Sequence, residues 1–209
     1  MEALDSYLKQ YSTPQSEALD YIEKQTHLKT NHARMLSGPV QGRLIAMISR
    51  IINPLHILEL GTFTGYSTVC LSEGLREGGS IDALEINDEL EDLIRDGYAK
   101  AGISDRVNLM FGDAKALIPT LSAQYDLVYI DANKREYVDY YQLVIEKVVH
   151  GGIILADNVL WDGKVLEDPP QTDAQTQGIL SFNKLVSEDE RVENVIIPLR
   201  DGLNLIRVK

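Results

Sequence analysis

A chain of 209 residues suits one domain, 1–209, that buries about 70% of its unfolded surface, so neither a disulfide framework nor a structural zinc is needed. A formal net charge of −12 argues against general nucleic-acid binding, which calls for a basic surface. The start, Met1 to Tyr7, lacks the basic and apolar stretches of a secretory signal, and no run is long enough to span a bilayer, so the expected location is the cytoplasm.

Helical patterns run from Leu4 to Tyr11 and from Ser16 to Thr26, then break at Gly38-Pro39 before a longer amphipathic stretch from Gln41 to Ile52. Residues 1–52 therefore read as a helical layer for substrate or dimer contacts. Lys24, Lys29, Arg34, Arg43 and Arg50 face few acids there, which fits a solvated helical entrance or an RNA surface.

After Asn53-Pro54, short apolar runs alternate with helical patterns, the signature of βαβ units and a mostly parallel sheet. Strands are expected at Ile57–Leu60, Ile81–Leu84, Val107–Met110, Leu127–Ile130 and Ile153–Ala156. Helices are expected at Thr64–Leu75, Asp88–Ala101, Ala114–Leu121, Tyr137–Val149 and Asp173–Ser187. Cys70, the single cysteine, falls on an apolar helical position as a small core side chain. Asn194–Ile197 and Asn204–Arg207 flank Asp201-Gly202, a hairpin signal. The expected α/β core, 53–209, is a seven-stranded sheet ending in an antiparallel pair, with helices on both faces.

Two polar outcrops carry the chemistry. Asp131 and Lys134 follow one apolar run, and Asp157 and Asn158 follow another, at strand C-terminal ends where open α/β sheets place ligands. Asp131, Asp157 and Asn158 offer oxygen donors alone, which suit Mg²⁺ or another hard divalent cation such as Mn²⁺ or Ca²⁺. Asp and Asn also end strands as turn formers and N-caps.

The run from Ile57 to Ser67 passes from a strand through Gly61 and Gly65 into a helix, and glycines let a ligand approach the backbone. Their spacing, G-x-x-x-G, is not the G-x-G-x-x-G of a dinucleotide site. Glu85, ending the second strand, can accept from ribose hydroxyls or serve as an ordinary turn carboxylate. Asp113 can meet an adenine amine or cap a helix that begins at Ala114. Glu59, inside the first strand, needs backbone amides or a cationic ligand group to satisfy it. In this order the signals favour a nucleoside-containing ligand.

The chain resembles the class I S-adenosylmethionine-dependent methyltransferases, and more closely the cation-dependent O-methyltransferases that include the caffeoyl-CoA and catechol enzymes. The resemblance covers 35–209 and rests on Met35, Gln41-Gly42, Glu59-x-Gly61-x-x-x-Gly65-Tyr66-Ser67, Glu85, Gly112-Asp113-Ala114, Asp131-Ala-Asn-Lys134, Asp157-Asn158, Trp161, Gly163 and Asp201-Gly202. It implies a Rossmann-like fold and a cofactor site lined by Met35, Ser37, Gly61, Thr62, Ser67, Glu85, Ala114 and Asp131. It also implies a cation on Asp131, Asp157 and Asn158, with Lys134 as base, and a homodimer. Asn133 departs from the acidic residue common at that position in the family.

A divalent ion acidifies an oxygen bound to it, and two vicinal oxygens can chelate it, so a small catechol-like or hydroxycinnamoyl-type phenol is the expected acceptor. A cation beside Lys134 discourages its ammonium form, leaving an amine able to take the substrate proton. Trp161 is expected to wall an aromatic acceptor. Acceptor choice is expected to lie in the N-terminal layer and the 161–177 segment. Two other readings remain: methylation of a hydroxylated uridine in tRNA, and a non-catalytic S-adenosylmethionine-binding protein.

Overall fold

A computed structural model describes residues 2–167 and 172–209. Residues 168–171, part of the segment expected to choose the acceptor, lie outside the described residues. Helices α1 (Glu2–Tyr11), α2 (Glu17–Lys29) and α3 (Gly38–Ile52) precede the first strand, β1 (His56–Leu60). Then come α4 (Tyr66–Ser72), β2 (Ser80–Glu85), α5 (Glu91–Ala101), β3 (Val107–Phe111), α6 (Ala114–Leu117), β4 (Tyr125–Ile130), α7 (Tyr137–Ile145), β5 (Val148–Asp157), α8 (Ala174–Glu188), β6 (Val192–Ile197) and β7 (Leu203–Val208).

The seven strands form one sheet in the order β3-β2-β1-β4-β5-β7-β6. Strands β1 to β5 pair in parallel, and β7 runs antiparallel to both β5 and β6. The period of two along each strand separates two cores. Ile57, Leu127, Tyr129 and Leu155 pack with α2, α3, α4 and α5, for example against Ile45, Val69 and Ile94. Leu58, Val128, Ile130 and Ile154 face Tyr137 and Tyr141 of α7 and Ile179 and Phe182 of α8. Phe182 meets the two tyrosine rings edge-on at 5.4 and 5.9 Å.

Two expectations change. Gly38-Pro39 does not break the helical layer but starts α3, because a proline in the first helical turn forfeits only an N–H that lacks a partner anyway. The helix expected to run to Val149 stops at Ile145, since Val148 and Val149 belong to a ten-residue β5 that pairs Val148 with Tyr125. The connection between β6 and β7 spans 198–202 and contains the expected Asp201-Gly202, with both Arg200 (φ 50) and Gly202 (φ 85) in the left-handed region.

Strand order reverses about β1, which lies between β2 and β4, so the crevice outside the carboxyl ends of β1 and β4 is where such a sheet accepts a ligand.

Candidate functional site

Gly61 follows β1 at φ 89, and a Cβ there would stand 2.0 Å from the main-chain oxygen of Asp131. The glycine is thus required by contact between two strand ends, and the crevice inherits its shape from that contact. At Gly65 a Cβ would come within 2.8 Å of the Tyr98 ring, so this glycine serves internal packing too. Both glycines therefore have a reason in internal packing, beside the expectation that they let a ligand approach the backbone.

Over this junction lies a cleft lined by Met35, Leu36, Ser37, Gly61, Thr62, Phe63, Thr64, Tyr66, Ser67 and Asp131. Six residues expected at a cofactor site, Met35, Ser37, Gly61, Thr62, Ser67 and Asp131, are therefore neighbours. Glu85 adjoins the lining. Its Oε2 accepts from the amide of Phe63 at 2.6 Å, while Oε1 accepts from the amides of Ile86 and Asn87, both at 2.9 Å.

Glu59 lies beneath the cleft, fully buried, and does not line it. Its Oε2 accepts from the hydroxyls of Thr62 and Thr68, not from backbone amides, and Oε1 has no partner within the protein. Burial pushes its carboxyl up to about 7 against the pull of the Ser67, Thr68 and Thr62 hydroxyls. Asp113 caps α6 through a 2.9 Å bond from the amide of Lys115, and Ala114 begins that helix. Neither these two residues nor Gly65 lines the cleft.

Beside Asp131 the charges converge. Lys134 Nζ donates to Asp131 Oδ1 at 2.7 Å and lies 5.0 Å from the centre of the Tyr137 ring, with the lysine only 7% exposed. Helix α8 holds this turn closely, since a Cβ on Gly178 would meet the main-chain oxygen of Lys134 at 2.3 Å. Asp157, at the end of β5, is 3% exposed. Its Oδ2 accepts from Gln41 Nε2 at 2.6 Å and the Tyr129 hydroxyl at 3.0 Å, and its Oδ1 from the Asn158 amide at 2.8 Å. Burial, then repulsion from Asp131, raises the Asp157 carboxyl to about 6, with Lys134 opposing the rise.

The sequence reading gave no site role to Gln41, Tyr129, Tyr137 or Gly178. Tyr137 donates to the main-chain oxygen of Asp157 at 2.8 Å. Gln41 alone left a trace, as a mark of the family resemblance, and it is buried (1% exposed) on the face of α3 that carries Ile45, Ala46 and Ser49.

Among the described residues, no three His, Cys, Asp or Glu side chains group as a cation cage. The expected ligands are two carboxylates and an amide. Asn158 adopts φ 59 in the turn after β5, followed by Trp161 (φ 47), Asp162 (φ 54) and Gly163 (φ 76). Trp161 packs partly buried against the α7–α8 core, and its Nε1 is buried without a protein partner. It does not line the cleft.

The O-methyltransferase family profile matches residues 9–209. The chain belongs to the O-methyltransferase family. It is an S-adenosylmethionine-dependent O-methyltransferase. Caffeoyl-CoA O-methyltransferase 1 of Eucalyptus globulus is 32% identical across 83% of this chain and 74% of its own. Tapetum-specific methyltransferase 1 of Arabidopsis thaliana is also 32% identical, across 99% and 93%. Among solved structures, the O-methyltransferase TomG of Streptomyces achromogenes, in complex with S-adenosylmethionine, superposes with a TM-score of 0.92 at 27% identity, covering 99% of this chain and 96% of its own. An O-methyltransferase of Bacillus cereus, in complex with S-adenosylhomocysteine, gives 0.89 at 27% identity, covering 99% and 97%.

Proposed function

We propose that this O-methyltransferase uses a divalent cation, Mg²⁺ or a similar hard ion, to methylate one hydroxyl of a small catechol-like or hydroxycinnamoyl-type phenol. The pairing of Lys134 with Asp131 beside the buried Asp157 carries the reading. Two carboxyl groups share this corner with one lysine, and their donor oxygens match a hard divalent ion. Asp131, Asp157 and Asn158 would hold it. When bound, it supplies Lewis acidity and a chelating point for vicinal oxygens.

In this reading the 1–209 chain acts as one methyltransferase domain, with 53–209 as its Rossmann-like core. The cleft over Gly61 takes the methyl donor. Ser37, Thr62 and Ser67 would offer hydroxyls to its amino-acid end, and Glu85, with Asp113 and Ala114 outside the cleft lining, would meet its nucleoside end. Glu59 supports the turn from below. The phenolic oxygen attacks the methyl carbon, the carbon–sulfur pair returns to sulfur, and the phenol's proton passes to Lys134 Nζ as a neutral amine. Trp161 would wall the acceptor's ring.

The relatives named for caffeoyl-CoA support an aromatic acceptor. Within the 24–50 segment, Arg43 and Arg50 both pair with Glu73, which removes two of the five cations from any tRNA surface. A homodimer through the 1–52 layer is supported by the exposed Leu4, Tyr7 and Tyr11 on α1 and Met47 and Ile51 on α3.

The test is incubation with S-adenosylmethionine and Mg²⁺, with and without EDTA, against catechols, hydroxycinnamoyl-CoA esters and tRNA lacking the modification. Mass spectrometry should show one added methyl group on a phenol, lost in EDTA. Methylation of tRNA alone would sink the proposal.

A further inference from the structure

The 198–202 turn between β6 and β7 is bonded to two segments on opposite sides of it. Arg200 Nη1 donates to the main-chain oxygen of Leu36 at 2.6 Å and to that of Ser37, while Nη2 reaches the oxygen of Arg34 at 3.5 Å. Met35, Leu36 and Ser37 are lining residues of the cleft. On the other side, the amides of Val159 and Leu160 donate to the main-chain oxygens of Gly202 and Asp201 at 3.1 and 2.9 Å, and that of Asp162 to the Asp201 carboxylate. These residues follow Asp157 and Asn158 directly.

Arg200 holds φ 50, a conformation that glycine adopts freely and a long L side chain rarely does. A glycine would therefore make this turn more easily than the arginine does. What the arginine adds is a planar fork of donors, which can hold adjacent carbonyls at once. The held segment is also seated by Leu36, which is buried in the core beside Leu19 and Ile45, and by the amides of Met35 and Leu36 on the oxygens of His32 and Ala33. Ser37 precedes α3 without a side-chain cap, and the turn before it is a three-residue 3₁₀ segment, Ala33–Met35.

We infer that Arg200 is a positioning residue for the methyl donor: it clasps the 34–37 segment in place as one wall of the donor cleft and ties it, through Asp201, to the turn that follows Asp157-Asn158. This rests on the reading of the cleft as the donor site. Arg200 itself does not line the cleft, so its effect passes through the carbonyls it holds.

The test compares wild type with Arg200→Gly and Arg200→Lys. Calorimetry with S-adenosylhomocysteine reads donor-site affinity, and hydrogen exchange at 33–38 reads the clasp with and without that ligand. Arg200→Gly should keep the wild-type melting temperature within a few degrees, since relief of backbone strain offsets the lost bonds. It should quicken exchange at 33–38 in the free enzyme and weaken S-adenosylhomocysteine by roughly tenfold. Arg200→Lys, with one ammonium in place of the fork, should recover part of both. Faster exchange with unchanged affinity would overturn the inference and leave the donor reading standing. Amides at 33–38 that gain no protection in saturated wild-type enzyme would overturn both.

Discussion

Gln41 Nε2 donates to Asp157 Oδ2 at 2.6 Å, joining positions 116 apart in the chain. The bond fixes the helical layer to the end of β5 and holds one carboxylate oxygen from the side of α3. A hydrogen bond to a buried charged group contributes about 1.5 to 3 kcal/mol. Gln41→Leu should lower stability by that amount in urea titrations at pH 8. Equal midpoints for the two proteins would show that the amide contributes nothing there.

Glu85→Gln should weaken S-adenosylhomocysteine by at least roughly tenfold, because the carboxylate that organises the amides of Phe63, Ile86 and Asn87 would lose half its acceptor capacity. Isothermal titration checks this. Unaltered affinity would remove Glu85 from the donor site.

Asp157→Ala should abolish turnover while S-adenosylhomocysteine binding persists, and excess EDTA should act alike on the wild type. The fold should tolerate chelation, because two apolar cores flank the sheet and do not depend on a cation. Activity that survives EDTA at full rate would remove the cation from the mechanism.

Lys134→Ala should lower kcat by roughly 10² to 10⁴-fold, the contribution of a positioned general base. The deficit should narrow as pH rises and the phenol ionises unaided. Lys134→Arg should not restore the rate, since a guanidinium remains protonated. A rate near wild type at neutral pH would leave Lys134 as no more than the counter-charge of Asp131.

Glu59 should make stability depend on pH. Its folded value, about 7, lies above the ordinary 4.5, so the folded state keeps a proton that the unfolded chain releases. The stability it contributes is fully present below about 4.5 and is lost as pH rises through 7, by on the order of 3 kcal/mol. Glu59→Gln should flatten that slope. Denaturant midpoints of the two proteins at pH 4.5 and 8 would show it, and parallel slopes would count against a proton on Glu59.

The sequence by itself determined the alternation of strands and helices, the antiparallel finish, and the positions of Asp131, Lys134, Asp157 and Asn158 at strand ends. Each of these is written in a short-range pattern: an apolar run of strand length, a helical period, a polar residue at its end. The same local pattern led to residues that line one cleft, since Gly61, Thr62, Ser67 and Asp131 follow β1 and β4, and parallel neighbours bring their carboxyl ends together.

Only the tertiary structure decided the rest. Whether Val148 ends a helix or begins a strand depends on its pairing with Tyr125, because its β-branched side chain fits either period over so short a stretch. Gly61 and Gly178 are fixed by the main-chain oxygens of Asp131 and Lys134, and such close approaches leave no local trace in the chain. Gln41, Tyr129 and Arg200 act at long range through side-chain hydrogen bonds. No periodicity marks such a bond, whose partner is set by how the helical layer and the last hairpin pack against the sheet.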